Sequence, residues 1–561
     1  MRAHRRNIAS PGLDHRVTLT EVRTHDLRRR VGLSGPSALF AVPLFAATCW
    51  WAFATYDAVW GTLDMERAQL LALAGPLVLG LALLLSGPLT RPPLKAAGVA
   101  AVAVGAGMGG AVLVEQEPRV VLALPAILIS AAACVRHPAA ALIGAFVLTG
   151  TFNTIEVFTP LPVGATVDLI LAGLWAAAAW RYLTVSRDRP VWIWPGVAVA
   201  TAYVALTLLQ SVAGEDLYAS LYSFRISVWY FAAALLVGYM GLSERQLLAI
   251  ARGISVVAVL VGAYALYRWI AGPAGEELAA ATQAAGKYNL VNNELRVIGS
   301  FPTGPHLAAW TGIVAPFCLG LALTLRDGWR LVAAAGGALC VLGLLASSTR
   351  TGLLAAVLAG ALVMLLYQLA RGFLGPHLGV TAVALACAIG VGITAYSLTV
   401  DSEADRQRYA NLLAPERDPS VQARITKWSE AWRDIRSHPL GRGMGSSGEA
   451  EKRYSRFASI SSYELDNSYL HVATQQGVAM LAVFVASLLM LLGGMMRRGL
   501  TSPNRQRAGI CIGAVGSLVA LMVLMVTGLY VEGLPALAAW LIVGVGLAQF
   551  TSTEPPARLA G

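Results

Sequence analysis

Charge is scarce in this sequence. Of its 561 residues only 13% are Asp, Glu, Lys or Arg, where soluble domains carry roughly 25%. A chain so poor in charge cannot fold as a soluble domain. Segments of alternating polar and apolar residues, the mark of a membrane β-barrel, are also lacking. Cysteine is sparse: Cys49, Cys134, Cys318, Cys340, Cys387 and Cys511. All six fall inside apolar runs, so they read as small buried hydrophobes with no disulfide framework and no metal-ligand spacing. There is no Asp-x-Asp pair on a polar loop and no His/Cys cluster, so no metal is expected. No internal repeat is found, which counts against an inverted-repeat transporter. The first apolar run begins only near Pro36 and leads into further runs, which argues against a cleaved signal peptide.

What the sequence has in quantity is apolar length. Hydrophobic residues make up 57% of it and the mean hydropathy is +0.63. Runs of about 20 apolar residues recur from Pro36 to Phe550, each long enough to cross a bilayer. Lipid cannot satisfy backbone polar groups, so these runs must be helices. The expected fold is all-α and polytopic, with about sixteen spans by apolar length. They start near Ser37, Ala68, Leu94, Val120, Ala139, Val163, Val191, Ser223, Gln246, His306, Leu331, Gly352, Leu378, His471, Ala508 and Leu534. This divides the chain into a basic cytoplasmic tail (1–35), transmembrane helices (36–398), a large extracytoplasmic loop (399–470), further transmembrane helices (471–550) and a cytoplasmic tail (551–561).

The net charge of +11 would suggest nucleic acid in a soluble protein. Here it reads as the Lys/Arg bias of cytoplasmic loops. The bias tests the span count independently. Alternate loops are basic: Arg91/Lys95, Arg136, Arg181/Arg187/Arg189, Arg245, Arg326/Arg330, Arg371 and Arg497/Arg498/Arg505/Arg507. The intervening loops carry Asp57/Asp64/Glu66, Glu115/Glu117, Glu156, Glu215/Asp216, Glu276/Glu277 and Glu532. Both termini are therefore expected in the cytoplasm. The closely spaced pairs around Arg136 and Arg350 are the weakest steps, and losing both spans of a pair would leave the sidedness elsewhere intact.

The large loop is rich in arginine, including Arg406, Arg408, Arg417, Arg424, Arg433, Arg436, Arg442 and Arg456, against the usual sidedness of positive charge. Arginine forks pair bidentately with phosphate, so phosphate-rich ligands explain the excess; a solvated surface explains it too. Arg424, Trp428, Ala431 and Ile435 have helical spacing and predict an amphipathic helix that lies on the membrane or covers a cavity. His438-Pro-Leu-Gly-Arg-Gly-Met-Gly445 ends it in a tight turn, with His438 read as a helix-end residue. Asp466-Asn467-Ser468-Tyr469-Leu470-His471 stands at the mouth of the next span and reads either as an N-cap or as a catalytic group. Arg296 heads a Gly/Pro-rich approach to the span at His306, and Arg350 sits in Ser348-Thr-Arg-Thr-Gly352 between two apolar runs. Arg225, Arg296, Arg350 and Asp466 all fall on the outer side by the loop argument alone, which points to one extracytoplasmic site.

At these residues the chain resembles the bacterial O-antigen ligase and O-antigen polymerase superfamily. Three blocks agree in order over roughly 223–490. They are Arg296-x-x-Gly-x-Phe301 with the following proline, the Ser348–Gly352 block, and the long loop with Arg424-x-x-x-Trp428-x-x-Ala431, His438-Pro-Leu-Gly-x-Gly443 and Asn467-x-Tyr469-Leu470. The resemblance implies a fold like the all-helical membrane glycosyltransferases. It implies metal-independent, inverting transfer of a glycan from a polyprenyl diphosphate, typically undecaprenyl, on the outer face of the bacterial plasma membrane, with no cofactor. Carried over by position, Arg296 and Arg350 would bind the donor diphosphate and Asp466 would be the base. Arg225, Arg424, His306, Asn467, Tyr469 and His471 would line the substrate site. Two departures stand out: Asp466 occupies the position where the ligases usually have His, and His306 the position where many relatives have Asn. A carboxylate can still accept the acceptor's hydroxyl proton. The expected partners are the lipid-linked donor, a glycan, lipid or protein acceptor, membrane lipids and polysaccharide-assembly proteins, with no nucleic acid. The competing class is a transporter or flippase for lipid-linked or anionic solutes, which calls for ionisable residues deep in spans. Such residues are scarce: Asp168 is the main candidate and is expected near the outer surface, which favours the enzyme.

Overall fold

The computed structural model describes residues 133–134, 136–158, 163–185, 195–213, 216–273, 275–279, 290–291, 294–326, 328–372, 419–454 and 465–548. The spans expected near Ser37, Ala68, Leu94, Val120 and Leu378 lie outside them, as do both tails and Arg406, Arg408, Arg417 and Arg456. Within them the protein is helical apart from one antiparallel pairing of β1 (Leu290–Val291) with β2 (Glu294–Leu295). The helices are α1 (Pro138–Phe158), α2 (Val163–Val185), α3 (Pro195–Ala213), α4 (Leu217–Ser223), a π-helical turn Phe224–Trp229, α5 (Tyr230–Tyr239) and α6 (Glu244–Ala271). They continue with α7 (Gly304–Thr324), α8 (Gly328–Ala346), α9 (Arg350–Ala370), α10 (Pro419–Ser437), α11 (Glu449–Tyr454) and α12 (Ser468–Gln476). The last are α13 (Val478–Thr501), α14 (Arg505–Thr527) and α15 (Gly533–Leu547).

Eight helical segments among the described residues are long and apolar enough to cross a membrane, and α3, α15 and part of α2 are shorter apolar helices. The protein is a multi-pass membrane protein. Its core is a bundle in which α7 is almost wholly enclosed by α8, α9 and α14. The close contact between α7 and α14 rests on glycine. A Cβ on Gly320 would lie 2.7 Å from Gly513 Cα, and one on Gly513 would lie 2.9 Å from Phe317 O. Small residues at such crossings let backbones approach in a medium that offers no hydrophobic drive between helices. Pro316 lies inside α7 and leaves the preceding turn short of a donor. The donor lost is the one for Gly312 O; the next carbonyl along, Ile313 O, accepts from the Ser517 hydroxyl of α14 at 2.7 Å, a tie between the two helices.

The loops sort to two ends. At one end Glu244 accepts from Asn504 Nδ2 at 2.6 Å and from Arg507 at 2.9 Å, and Arg505 donates to Leu323 O at 2.7 Å and Tyr367 Oη at 3.1 Å. These are the loops that the Lys/Arg bias placed on a common side. The N-termini of α7, α9, α12 and α15 meet at the other end. Where the sequence reads one span from His471, the structure has two helices, α12 and α13, meeting at Gly477 with φ +88°.

Replacing Gly513 by Ala is expected to cost about 1–3 kcal/mol through overpacking against Phe317. Gly493, which has nothing within 4 Å of a built Cβ, should tolerate Ala or gain from its higher helix propensity. Thermal unfolding of the two purified variants in detergent checks the contrast.

Candidate functional site

The site begins with the break between α12 and α13. A helix that ends inside the protein strands its last carbonyls. Here Arg442 N–H donates to Thr474 O at 2.8 Å and Gly443 N–H to Gln475 O at 3.0 Å, while Val478 N–H donates to Pro439 O at 3.0 Å. The turn after α10 is thus laid directly onto the break. The fit is tight in both directions. A Cβ on Gly441 would stand 2.5 Å from Gln475 O, and one on Gly477 2.6 Å from Leu440 C. Both glycines have positive φ, a conformation that costs other L-residues roughly 1–2 kcal/mol. Ser220 Oγ donates to Met444 O at 2.7 Å and Ser223 Oγ to Gln475 Oε1 at 2.9 Å, which ties α4 to the same turn.

This lock sets the mouth of α12. Asn467 is its N-cap, accepting from Tyr469 N–H at 2.9 Å and Leu470 N–H at 3.0 Å. Tyr469 is half-buried and donates from its hydroxyl to Met522 O at 3.0 Å. His471 is buried, with Nδ1 2.9 Å from Ser447 Oγ and Nε2 2.7 Å from Glu532 Oε1. The side chains of Asn467 and His471, both taken from the sequence as substrate-lining, are occupied here by structural hydrogen bonds. Ser468 joins α12 to the loop before α15: its hydroxyl donates to Gly528 O at 2.7 Å and accepts from Val531 N–H at 3.1 Å.

Asp466 stands immediately outside the cap, partly exposed, with Arg424 Nε of α10 3.9 Å from Oδ2. Tyr530, held by the loop that Ser468 fixes, has its hydroxyl 3.4 Å from Pro305 O at the start of α7. Desolvation pushes the Tyr530 phenol up to about 12; Arg424 and Arg296 pull it down and Asp466 pushes it up. The phenol therefore stays protonated and able to donate. Arg296 lies against Gly304, where a built Cβ would be 3.2 Å from the Arg296 Cβ and Cδ and 3.4 Å from Ser347 O. Ser347 opens the turn into Arg350, the first residue of α9. Ser348 in that turn is the one non-glycine residue at positive φ among the described residues, at +52°. Arg296, Arg424, Asp466 and Tyr530 thus gather at one end of the bundle, with the Arg350 turn packed beside them.

Two expected members are engaged elsewhere. Arg225, in the π-helical turn, pairs with Asp168 of α2 at 2.5 Å, and both are largely buried. His306 sits in the first turn of α7, where Thr303 Oγ1 accepts from its N–H at 3.3 Å and lies 2.5 Å from its Nδ1. Tyr530, Glu532 and Ser447 were not singled out from the sequence. The available signal was a polar Tyr-Val-Glu between Gly528 and Gly533, closing a short loop between two apolar runs. Among the described residues no three His, Cys, Asp or Glu side chains converge to hold a metal ion.

Residues 335–485 match the family model for O-antigen ligase. That match supports the O-antigen ligase and polymerase superfamily. The matched segment contains Arg350, Arg424, Asp466, Asn467, Tyr469 and His471; Arg225, Arg296, His306 and Tyr530 lie outside it. A comparison with curated proteins finds no significant match.

If Asn467 serves as a cap, Asn467→Ala should lower stability by about 1 kcal/mol and Asn467→Ser should restore most of it. Thermal unfolding of the two variants reads this. Full stability in Asn467→Ala would show that the side chain's bonds to α12 are dispensable.

Proposed function

We propose that this protein is a membrane glycosyltransferase of the O-antigen ligase and polymerase type. It moves a glycan from a polyprenyl diphosphate to an acceptor hydroxyl on the outer face of the plasma membrane, in cell-surface polysaccharide assembly. The observation that carries this reading is the gathering of Arg296, Arg424, Asp466 and Tyr530 beside the Arg350 turn, at one end of a membrane bundle whose segment 335–485 matches O-antigen ligase.

The chemistry suits such a site. The acceptor oxygen attacks the anomeric carbon from the face opposite the diphosphate. The new carbon–oxygen bond forms as the bond to the diphosphate breaks, and the configuration inverts. The acceptor's proton passes to the Asp466 carboxylate, which Arg424 holds at the mouth of α12. The leaving polyprenyl diphosphate carries away the bonding pair. Its growing negative charge is met by Arg296, by Arg350 at the positive N-terminal end of α9, and by the neutral Tyr530 hydroxyl. Fixed cations aimed at such oxygens in a water-poor cleft stabilise the transition state without reorganising. In this reading no metal is needed. Arg225, paired with Asp168, ties α2 to the π-helical turn and takes no part in the transfer.

Transfer is measured in proteoliposomes supplied with the host's own polyprenyl-diphosphate-linked glycan, with EDTA present. Arg296→Ala and Arg350→Ala should each lower kcat/KM by about 10²–10³, and Asp466→Ala by about 10²–10⁴ as the loss of a general base. Asp466→His should retain part of the rate. The chain length of the product separates polymerase from ligase. Absence of transfer, with the lipid crossing the bilayer instead, would replace this reading with a flippase.

A further inference from the structure

The amphipathic helix α10 has two faces. Ala431 and Ile435 are buried against the protein, and Arg424 on that side reaches Asp466. The flank beside the buried stripe is not simply polar. Ile425 and Trp432 are 48% and 45% exposed, two helical turns apart on one edge. The Arg436 guanidinium lies over the Trp432 ring at 5.7 Å from its centroid. Asp434, two residues from Arg436 and so facing away from that edge, pairs with Arg442 and with His438 at 3.3 Å. Four residues past Arg436, Leu440 is 84% exposed, the highest exposure among the large hydrophobic side chains described.

Leu440 is also fixed in place relative to the membrane helices. Its backbone touches Gly477. The neighbouring Gln476 binds α3 through Thr207 Oγ1 at 3.1 Å and Gln210 Nε2 at 3.3 Å. On α3, Leu206 and Leu209 face outward, 44% and 66% exposed, and Val478 at the start of α13 is 44% exposed. The exposed Leu440 thus adjoins the exposed Val478 at the head of a membrane-length helix, with Gln476 tying the same break to α3. An aromatic residue with a stacked arginine beside such a surface has the composition of a bilayer interface, where indole rings sit at headgroup level and arginines reach phosphate.

We propose that the edge Ile425–Trp432–Arg436, together with Leu440, is seated in the bilayer interface, its arginine on the headgroups of anionic phospholipid. The inference requires only that the chain spans a membrane and stands apart from the transferase reading. Its structural consequence is that one helix carries a lipid anchor on one edge and Arg424 on the other, so the membrane surface helps set the position of Arg424 over Asp466.

The test uses the full chain in phospholipid nanodiscs, with the six cysteines replaced by alanine and a nitroxide at Ile425→Cys, Leu440→Cys, Leu209→Cys or Thr426→Cys. Labels at 425 and 440 should favour oxygen over a water-soluble nickel complex, as at the lipid-facing 209. The label at 426, on the opposite exposed edge, should favour nickel. In a parallel arm that keeps the native cysteines, a photo-crosslinking residue at 440 should form adducts with lipid. Exchanging phosphatidylglycerol for phosphatidylcholine, or introducing Arg436→Glu, should shift the 425 label toward water. Nickel-type accessibility at both 425 and 440, or crosslinks at 440 to protein alone, overturns the anchor. A depth insensitive to both headgroup and Arg436→Glu overturns the anionic-lipid assignment.

Discussion

The mutual fit of Gly477 and the turn Pro439–Gly443 is the constraint on which the rest of the site depends. Breaking a helix in a membrane protein exposes carbonyls that lipid cannot satisfy, at a cost of several kcal/mol each. The backbone N–H groups of Arg442 and Gly443 supply the missing partners, and only glycine permits the approach. The break cannot therefore exist without the turn, nor the turn hold its place without the break. Everything downstream follows from where α12 then begins: the cap at Asn467, the exposed Asp466 before it, the Ser468 tie to the next loop, and through that loop Tyr530.

Around this frame charge gathers at one end of the bundle: Arg296 and Arg424 lie near Asp466 and Tyr530, with the Arg350 turn beside them. Buried pairs elsewhere are matched one to one: Arg225 with Asp168, and Arg268 with Glu277 at 2.8 Å. In the proposed reaction these arginines would meet the diphosphate's charge together, so that no one of them carries its binding alone. The two-fold engagement of His471, between Ser447 and Glu532, serves a different purpose: it holds the turn, α12 and the last loop in register without exposing a polar edge.

Much of this was legible in the sequence, for identifiable reasons. Apolar runs report spans because bilayer thickness sets their length, and the loops grouped by Lys/Arg bias include those that Glu244, Arg505 and Arg507 bring into contact. Asn467 reads as a cap because its chemistry is local, and so does His438, whose N–H bonds Asp434 O at 2.9 Å. The site was legible only in part. The span expected from His471 runs across the polar Thr474-Gln475-Gln476 before Gly477, a stretch whose meaning comes from α3, α4 and a turn more than thirty residues earlier in the chain. Tyr530 and Glu532 gain their meaning from neighbours across the bundle, Pro305 and His471, and no spacing in the sequence carries that information. Arg225 was placed with the other outer arginines, but its partner Asp168 lies on a helix that loop charge could not connect to it.

The placement of Tyr530 bears on how the protein comes into being. The segment that matches O-antigen ligase ends at residue 485, yet one wall of the gathered site is supplied by the loop between α14 and α15. Arg296, far earlier, supplies another. A growing chain carries the recognisable region long before these pieces can meet. The hydroxyl at 530 is absent until the loop between α14 and α15 is made and Ser468 fixes it against α12. The gathered cluster is thus complete only once the chain has been made past residue 530, well beyond the segment that carries the family match.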